Sequence, residues 1–126
     1  MSYNKQYSLR NPPPYPCIDV TLTNPRDPTN SFDLKEAMID TGAGATCIPK
    51  SVVERLELIP IDVATVRDYQ GNAEQKPVYH ITISFGPFNF TIRAVETNGD
   101  ILIGRNILNQ LTSVLIGPTK RLEMRR

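Results

Sequence analysis

"AMIDTGAGATCIP", residues 37–49, places a carboxylate at the point where an apolar run ends. Ala37, Met38 and Ile39 read as the end of a strand. Asp40 follows, then the small residues Thr41, Gly42, Ala43 and Gly44, and the chain turns apolar again at Cys47 and Ile48. One reading is a plain turn, in which Asp accepts hydrogen bonds from nearby backbone N–H groups and Gly supplies a positive φ. The other is chemical. A carboxylate leaving a buried strand is poorly solvated unless something holds it. Two of them held about 3 Å apart share one proton, because like charges so close cannot both ionise. One is then an acid and the other a base: the base takes a proton from a bound water while the acid protonates the carbonyl under attack. Neither a metal nor a nucleophilic side chain is required. None of Asp19, Asp27, Asp33, Asp62, Asp68 or Asp100 is followed by Thr-Gly or Ser-Gly. A second carboxylate of this kind must therefore come from another copy of the chain across a two-fold axis.

The bulk properties narrow the field. A chain of 126 residues makes one domain and buries roughly two-thirds of its unfolded surface. Its 40% hydrophobic and 21% charged content is that of an ordinary globular protein. The net charge of +1 supplies no global field toward nucleic acid or an anionic membrane, so neither is expected as a partner. The basic end "KRLEMRR" reads as a solvated tail. No apolar run approaches the ~18 residues of a membrane span, and the first sixteen residues lack the apolar core of a signal peptide. This points to a cytoplasmic protein or to a segment released from a larger precursor. Cys17 and Cys47 read as free thiols. The single histidine, His80, leaves no convincing zinc set, and no metal or cofactor is expected.

Between the tails the chain reads as short strands separated by turns. "CIDVTLT" alternates, with Ile18, Val20 and Leu22 on one face. "NPRDPTNS", residues 24–31, reads as a loop, and "FDLKEAMID" returns as a strand. "PKSVVERLEL" suits a short helix with Pro49 at its first turn and Val52, Val53 and Leu56 on one side. A hairpin over residues 65–79 turns at Gln70-Gly71-Asn72, and a second turns at Gly86-Pro87. "DILIG" is a buried strand, "RNILNQL" a short helix, and residues 112–126 a C-terminal hairpin and tail. Residues 1–16, rich in proline, read as a flexible arm. The result is a mostly β single domain, as a barrel or sandwich with one or two short helices.

"DILIGRNILNQL", residues 100–111, lies about sixty residues after the first motif. Together the two resemble the retroviral-type aspartic proteases. "IDTGA" matches that family's catalytic loop, "ILIGRN" its hydrophobic-Gly-Arg-Asn segment, and the hairpin around "YQGN" stands where the family has its flap. The resemblance covers residues 15–118. It implies a closed, retropepsin-like β barrel that works as a homodimer on peptide or protein substrates, with the active site on the two-fold axis. By the same resemblance Asp40 is the catalytic carboxylate and Thr41 hydrogen-bonds across the two-fold. Gly42 lets backbone approach the carboxylate. Ala43 marks the retroviral version of the motif and a less acidic working range. Gly104 lets its strand pass close behind the catalytic loop, and Arg105 supports it. Leu102 lines the substrate pocket, while Tyr69, Gln70 and Gly71 belong to the flap.

The chain departs from the family in three places. Where retroviral enzymes carry an acid two residues past "TG" to pair the arginine, it has Gly44 and then Ala45. Its flap holds one glycine, Gly71, beside a tyrosine as in pepsin-like flaps. Its end, "SVLIGPTKRLEM", is longer than a retroviral C-terminus and looks more like the extra hairpin of bacterial and DNA-damage-inducible retropepsin-like proteins. The expected activity is endopeptidase cleavage of extended, apolar-flanked peptide segments. The alternatives are an idle retropepsin-like module kept for dimerisation or peptide binding, and a generic β-barrel binding domain with a coincidental motif.

Overall fold

The computed structural model describes residues 1–68 and 70–126. Its strands are β1 (Ser2–Gln6), β2 (Cys17–Asn24), β3 (Asp27–Ile39), β4 (Thr46–Pro49), β5 (Asp62–Arg67), β6 (Ala73–Phe85), β7 (Phe88–Thr97), β8 (Leu102–Ile103), β9 (Thr112–Ile116) and β10 (Arg121–Arg125). Two short helices, α1 (Lys50–Leu56) and α2 (Arg105–Leu108), follow β4 and β8.

Seven strands form one sheet in the order β2-β3-β8-β4-β7-β6-β5. A further pairing closes it: Thr21, Leu22 and Thr23 of β2 also lie against Ser84, Ile83 and Thr82 of β6. Six strands thus make a ring, with β5 added along the outer half of β6. Closing the ring removes most of the unpaired strand edges that an open sheet would expose. The alternation along β2 has the consequence expected of it: Ile18, Val20 and Leu22 enter a core with Ile39, Ile48, Ile81, Ile83, Ile103 and Ile107. At α1, Val52, Val53 and Leu56 are the buried residues, as their spacing predicts, and Glu57 ends the helix in a left-handed conformation.

The structure corrects the reading of the chain's first part. Rather than a loose arm, residues 2–6 form β1, which pairs antiparallel with β10, with Ser2 opposite Arg125 and Gln6 opposite Arg121. With β9 these make a second, three-stranded sheet. Tyr3 anchors it. Its ring meets Phe85 edge-on at 5.4 Å, and its hydroxyl accepts the Asp19 N–H at 2.9 Å. The basic tail is correspondingly a strand whose Leu122 and Met124 are fully buried. Residues 24–31 are also more ordered than a loop. The β2–β3 hairpin turns at Pro25 and Arg26, and β3 resumes at Asp27, with a register shift before Ser31. Paired partners supply what the local sequence does not favour.

Candidate active site

A bulge in β3 aims Asp40. Val20 faces Leu34 across the β2–β3 ladder, yet Ile18 faces Ala37 rather than Glu36. One extra residue therefore stands in β3, and Glu36, at φ 58°, absorbs it in a left-handed conformation. An inserted residue flips every later side chain to the opposite face. Ala37 and Ile39 consequently turn into the core, while Met38 and Asp40 turn out of it. Asp19 holds the bulge in place: its Oδ1 accepts the Glu36 N–H at 2.9 Å, and Lys5 pairs with its other oxygen at 3.1 Å. Burial works to raise the Asp19 carboxyl, but the Glu36 amide and Lys5 outweigh it and hold the group below its ordinary value. The alternation of β2 puts Asp19 on the face opposite Ile18 and Val20; its link to Glu36 follows from pairing.

Beyond β3 the loop is tied down at almost every residue. The Asp40 N–H donates to the Ile103 carbonyl at 2.9 Å, and the Ala43 N–H donates back to the Asp40 carbonyl at 3.2 Å. The Gly42 N–H donates to Asp40 Oδ1 at 2.8 Å. A Cβ on Gly42 would stand 3.1 Å from that same oxygen, so a side chain there would press on the carboxylate. Behind the loop, β8 carries only Leu102 and Ile103, because at Gly104 the chain runs against backbone. A Cβ on Gly104 would lie 2.5 Å from the Ala45 carbonyl carbon. Thr41 stands exposed.

Arg105 and Asn106 complete the base. The Arg105 N–H donates to the Ala43 carbonyl at 2.8 Å, and its guanidinium donates to the Thr41 carbonyl at 2.8 Å. The arginine thus braces the loop through main-chain oxygens in place of an acid. Asn106 Oδ1 accepts both the Thr46 N–H, at 3.0 Å, and the Thr46 hydroxyl, at 2.8 Å. Its amide donates to the Arg93 carbonyl, and Thr46 Oγ1 accepts the Gly104 N–H at 3.1 Å. Asn106 was not singled out as a site residue. Its place in the "ILIGRN" motif was the signal for it, while its partner is sixty residues away.

Three strands present one apolar face beside Asp40. Met38 pairs with Leu102, and Leu102 with Cys47. Paired residues point the same way, so these three share a face with Asp40, which is two residues beyond Met38. Burial and the nearby Asp40 charge push the Cys47 thiol up. Both cysteines are free. A groove of about 610 Å³ is lined by Met38 and Leu102 together with Phe32, Arg10 and Arg55. Asp40 borders that face but does not line the groove.

The hairpin predicted for residues 65–79 pairs from Asp62–Val78 to Arg67–Ala73. Gln70 and Gly71 stand in its turn, and Gly71 has φ 83° with nothing within 4 Å of a Cβ. The turn is organised by Asp68, whose Oδ1 accepts the N–H groups of Gln70 and Asn72, each at 2.9 Å. Hydrogen bonds to the charged form, first of all from the Asn72 amide, hold its carboxyl below the ordinary value. Tyr69 lies outside the described residues.

Residues 33–110, a span that contains Asp40, Gly104 and Arg105, match the family model described as "gag-polyprotein putative aspartyl protease". The chain belongs to this family of aspartyl proteases. Its fold is similar to that of solved relatives. A retropepsin-like aspartic protease from Rickettsia conorii matches with a TM-score of 0.64 at 16% identity, covering 98% of this chain and 91% of that one. The EIAV protease, solved with an inhibitor, matches at 0.57 and 17% identity, covering 84% and 93%. The protease of simian foamy virus matches at 0.56 and 20% identity, covering 75% and 92%. These likenesses establish a retropepsin-like, mostly β fold. The coverage of the Rickettsia match takes in nearly all of this chain, the terminal sheet included. No curated protein matches the sequence.

Proposed function

We propose that this family member is a homodimeric aspartic endopeptidase in which Asp40 is paired with Asp40 of a second copy. The observation that carries the reading is the aim of Asp40. A bulge turns it out of the core, onto a loop fixed to the Ile103–Arg105 segment, in a chain with a single copy of the motif. Nothing in barrel packing calls for a carboxylate there, which argues against an idle module.

Each residue then has a task. One Asp40 carboxylate activates a water and the other, protonated, donates to the scissile carbonyl. The Gly42 N–H fixes the oxygen it touches, and Ala43 closes the turn. Thr41, exposed beside the loop, is placed to hydrogen-bond across the two-fold. Gly104 and Arg105 keep the loop from shifting under load. Leu102, with Met38 and Cys47, offers an apolar wall suited to large apolar side chains flanking the cut. The hairpin tip, with Gln70 and Gly71, closes over the peptide and pairs with its backbone; Tyr69 is assigned to the same tip by resemblance alone. A second copy also has a surface to meet. As the edge strand of its sheet, β9 carries no charged residue, and Leu115 remains 51% exposed, which leaves an edge undefended against pairing. The partner so read is a peptide or protein, not nucleic acid or a membrane. Among the described residues no helix is long and apolar enough to cross a membrane.

The test is Asp40→Asn. The variant keeps the fold and loses peptide cleavage, because an amide can neither share the proton nor activate water. Mixed in excess with the wild type, it also suppresses wild-type activity by forming mixed dimers. Cleavage by Asp40→Asn itself would overturn the assignment, and an unaltered wild-type rate in the mixture would overturn the shared site.

A further inference from the structure

Arg105 presents an incomplete ion pair. Its Nη1 is committed to the Thr41 carbonyl at 2.8 Å, and its main-chain N–H to Ala43. Its Nη2 lies 3.4 Å from the point where a Cβ on Gly44 would stand. Gly44 has no side chain to offer it. Among the described residues, the carboxylates found in ion pairs are Asp19, Glu36, Glu54, Asp62 and Glu74, each with another cation. In the single chain Arg105 is exposed, and its guanidinium is tied to the loop that carries Asp40. A guanidinium has five N–H donors in a rigid fork that matches a carboxylate. One side of this fork is used to orient the group, and the other faces the space that glycine leaves open.

We propose that this free side of Arg105 recognises a carboxylate of the substrate: an Asp or Glu side chain a few residues from the scissile bond. The proposal rests on the endopeptidase reading above. The chain thereby leaves to the substrate an acid that a side chain at position 44 could have supplied. Orientation by the Thr41 carbonyl makes the recognition directional, with Nη2 turned to the Gly44 side. Because the group is exposed, the effect is moderate and falls with salt.

The experiment is cleavage of a mixed peptide library by the wild-type protein, followed by matched peptides differing only by Glu or Gln at the selected position. The expected result is an excess of Asp and Glu at one fixed distance from the cut, with kcat/KM about fivefold higher for the Glu peptide and a ratio that shrinks at high salt. Gly44→Asp is the decisive variant. Gly44 is not among the residues with positive φ, and the nearest atom to its Cβ is the guanidinium itself, so the loop accepts the side chain. It supplies an internal carboxylate and brings the Glu-to-Gln ratio to about one, as does Arg105→Gln. The ratio is read within each variant, so a loss of overall activity does not confuse it. Wild-type cleavage with no acidic preference, or a preference that survives both variants, would overturn the proposal and leave the endopeptidase reading standing. A wild-type protein that cuts no peptide in the library, and behaves as Asp40→Asn does, would overturn both.

Discussion

A Cβ on Gly104 would sit 2.5 Å from the carbonyl carbon of Ala45, whereas one on Gly71 would meet nothing within 4 Å. The two glycines belong to two regions with opposite mechanics. Gly104 lies where β8 presses on the chain entering β4, and its own N–H is held by Thr46, which Asn106 holds in turn. Gly71 lies at a hairpin tip held, among the described residues, by hydrogen bonds to the exposed side chain of Asp68 and by main-chain bonds among Asp68, Gly71 and Asn72. One glycine is required by lack of space and the other by its backbone angle. The base of the site therefore resists displacement, while the hairpin above β5 and β6 has little to lose by moving.

The largest effect that can break this contrast is at Gly104. Gly104→Ala forces one backbone segment off another and is expected to cost about 3 kcal/mol, read as a lower denaturation midpoint together with lost activity. A variant as stable as the wild type would show that the base is not rigid. Next comes Asp19→Ala, which leaves the Glu36 N–H of the bulge without its acceptor and is expected to cost about 1–2 kcal/mol. Because the bulge aims Asp40, turnover falls by more than the loss of folded protein explains; activity that merely tracks the folded fraction would contradict that aim. Gly71→Val comes third. A branched side chain at φ 83° carries a local strain of about 1–2 kcal/mol, which the tip relieves by opening. Turnover slows while the melting temperature stays within a degree or two; a melting shift like that of Gly104→Ala would erase the distinction.

The smallest effect is a titration. Asp68 has its carboxyl below the ordinary value of 3.8, so the order it gives the tip is fully present above 3.8 and is lost as pH falls through the lowered folded value. The amide resonances of Gln70 and Asn72 are expected to shift with a midpoint below 3.8. A midpoint at or above it would mean that the turn does not rest on this carboxylate.

What could be read from the sequence, and what could not, follows the same division between local and distant causes. Val52, Val53 and Leu56 announced α1 because a helix is defined by neighbours three and four apart. Asp40-Thr41-Gly42 and Ile103-Gly104-Arg105 were legible as motifs, and the turn at Gly71 by its glycine and asparagine. The bulge at Glu36 was not, because nothing in "DLKEAM" distinguishes it from a regular strand; it exists through Asp19 on the neighbouring strand. Asn106 stood in the "ILIGRN" motif, but its bonds to Thr46 were hidden for the same reason. The acceptor for Arg105 was sought among acids, and a main-chain carbonyl leaves no mark in a sequence. β1 was hidden most completely, being short and polar, close to three consecutive prolines, and dependent on a partner at the other end of the chain.

That last pairing orders events in time. Ser2–Gln6 precedes the domain's other strands in the chain, yet among the described residues its ladder partner is Arg121–Arg125, so during synthesis it waits until almost the whole domain has emerged. The hairpins of the barrel, whose partners are near neighbours in the chain, have no such delay. Closing a loop that spans nearly the entire chain is slow compared with forming a hairpin. The first of the domain's strands is thus the last able to dock, and Tyr3 reaches Phe85 only on a barrel that has already formed.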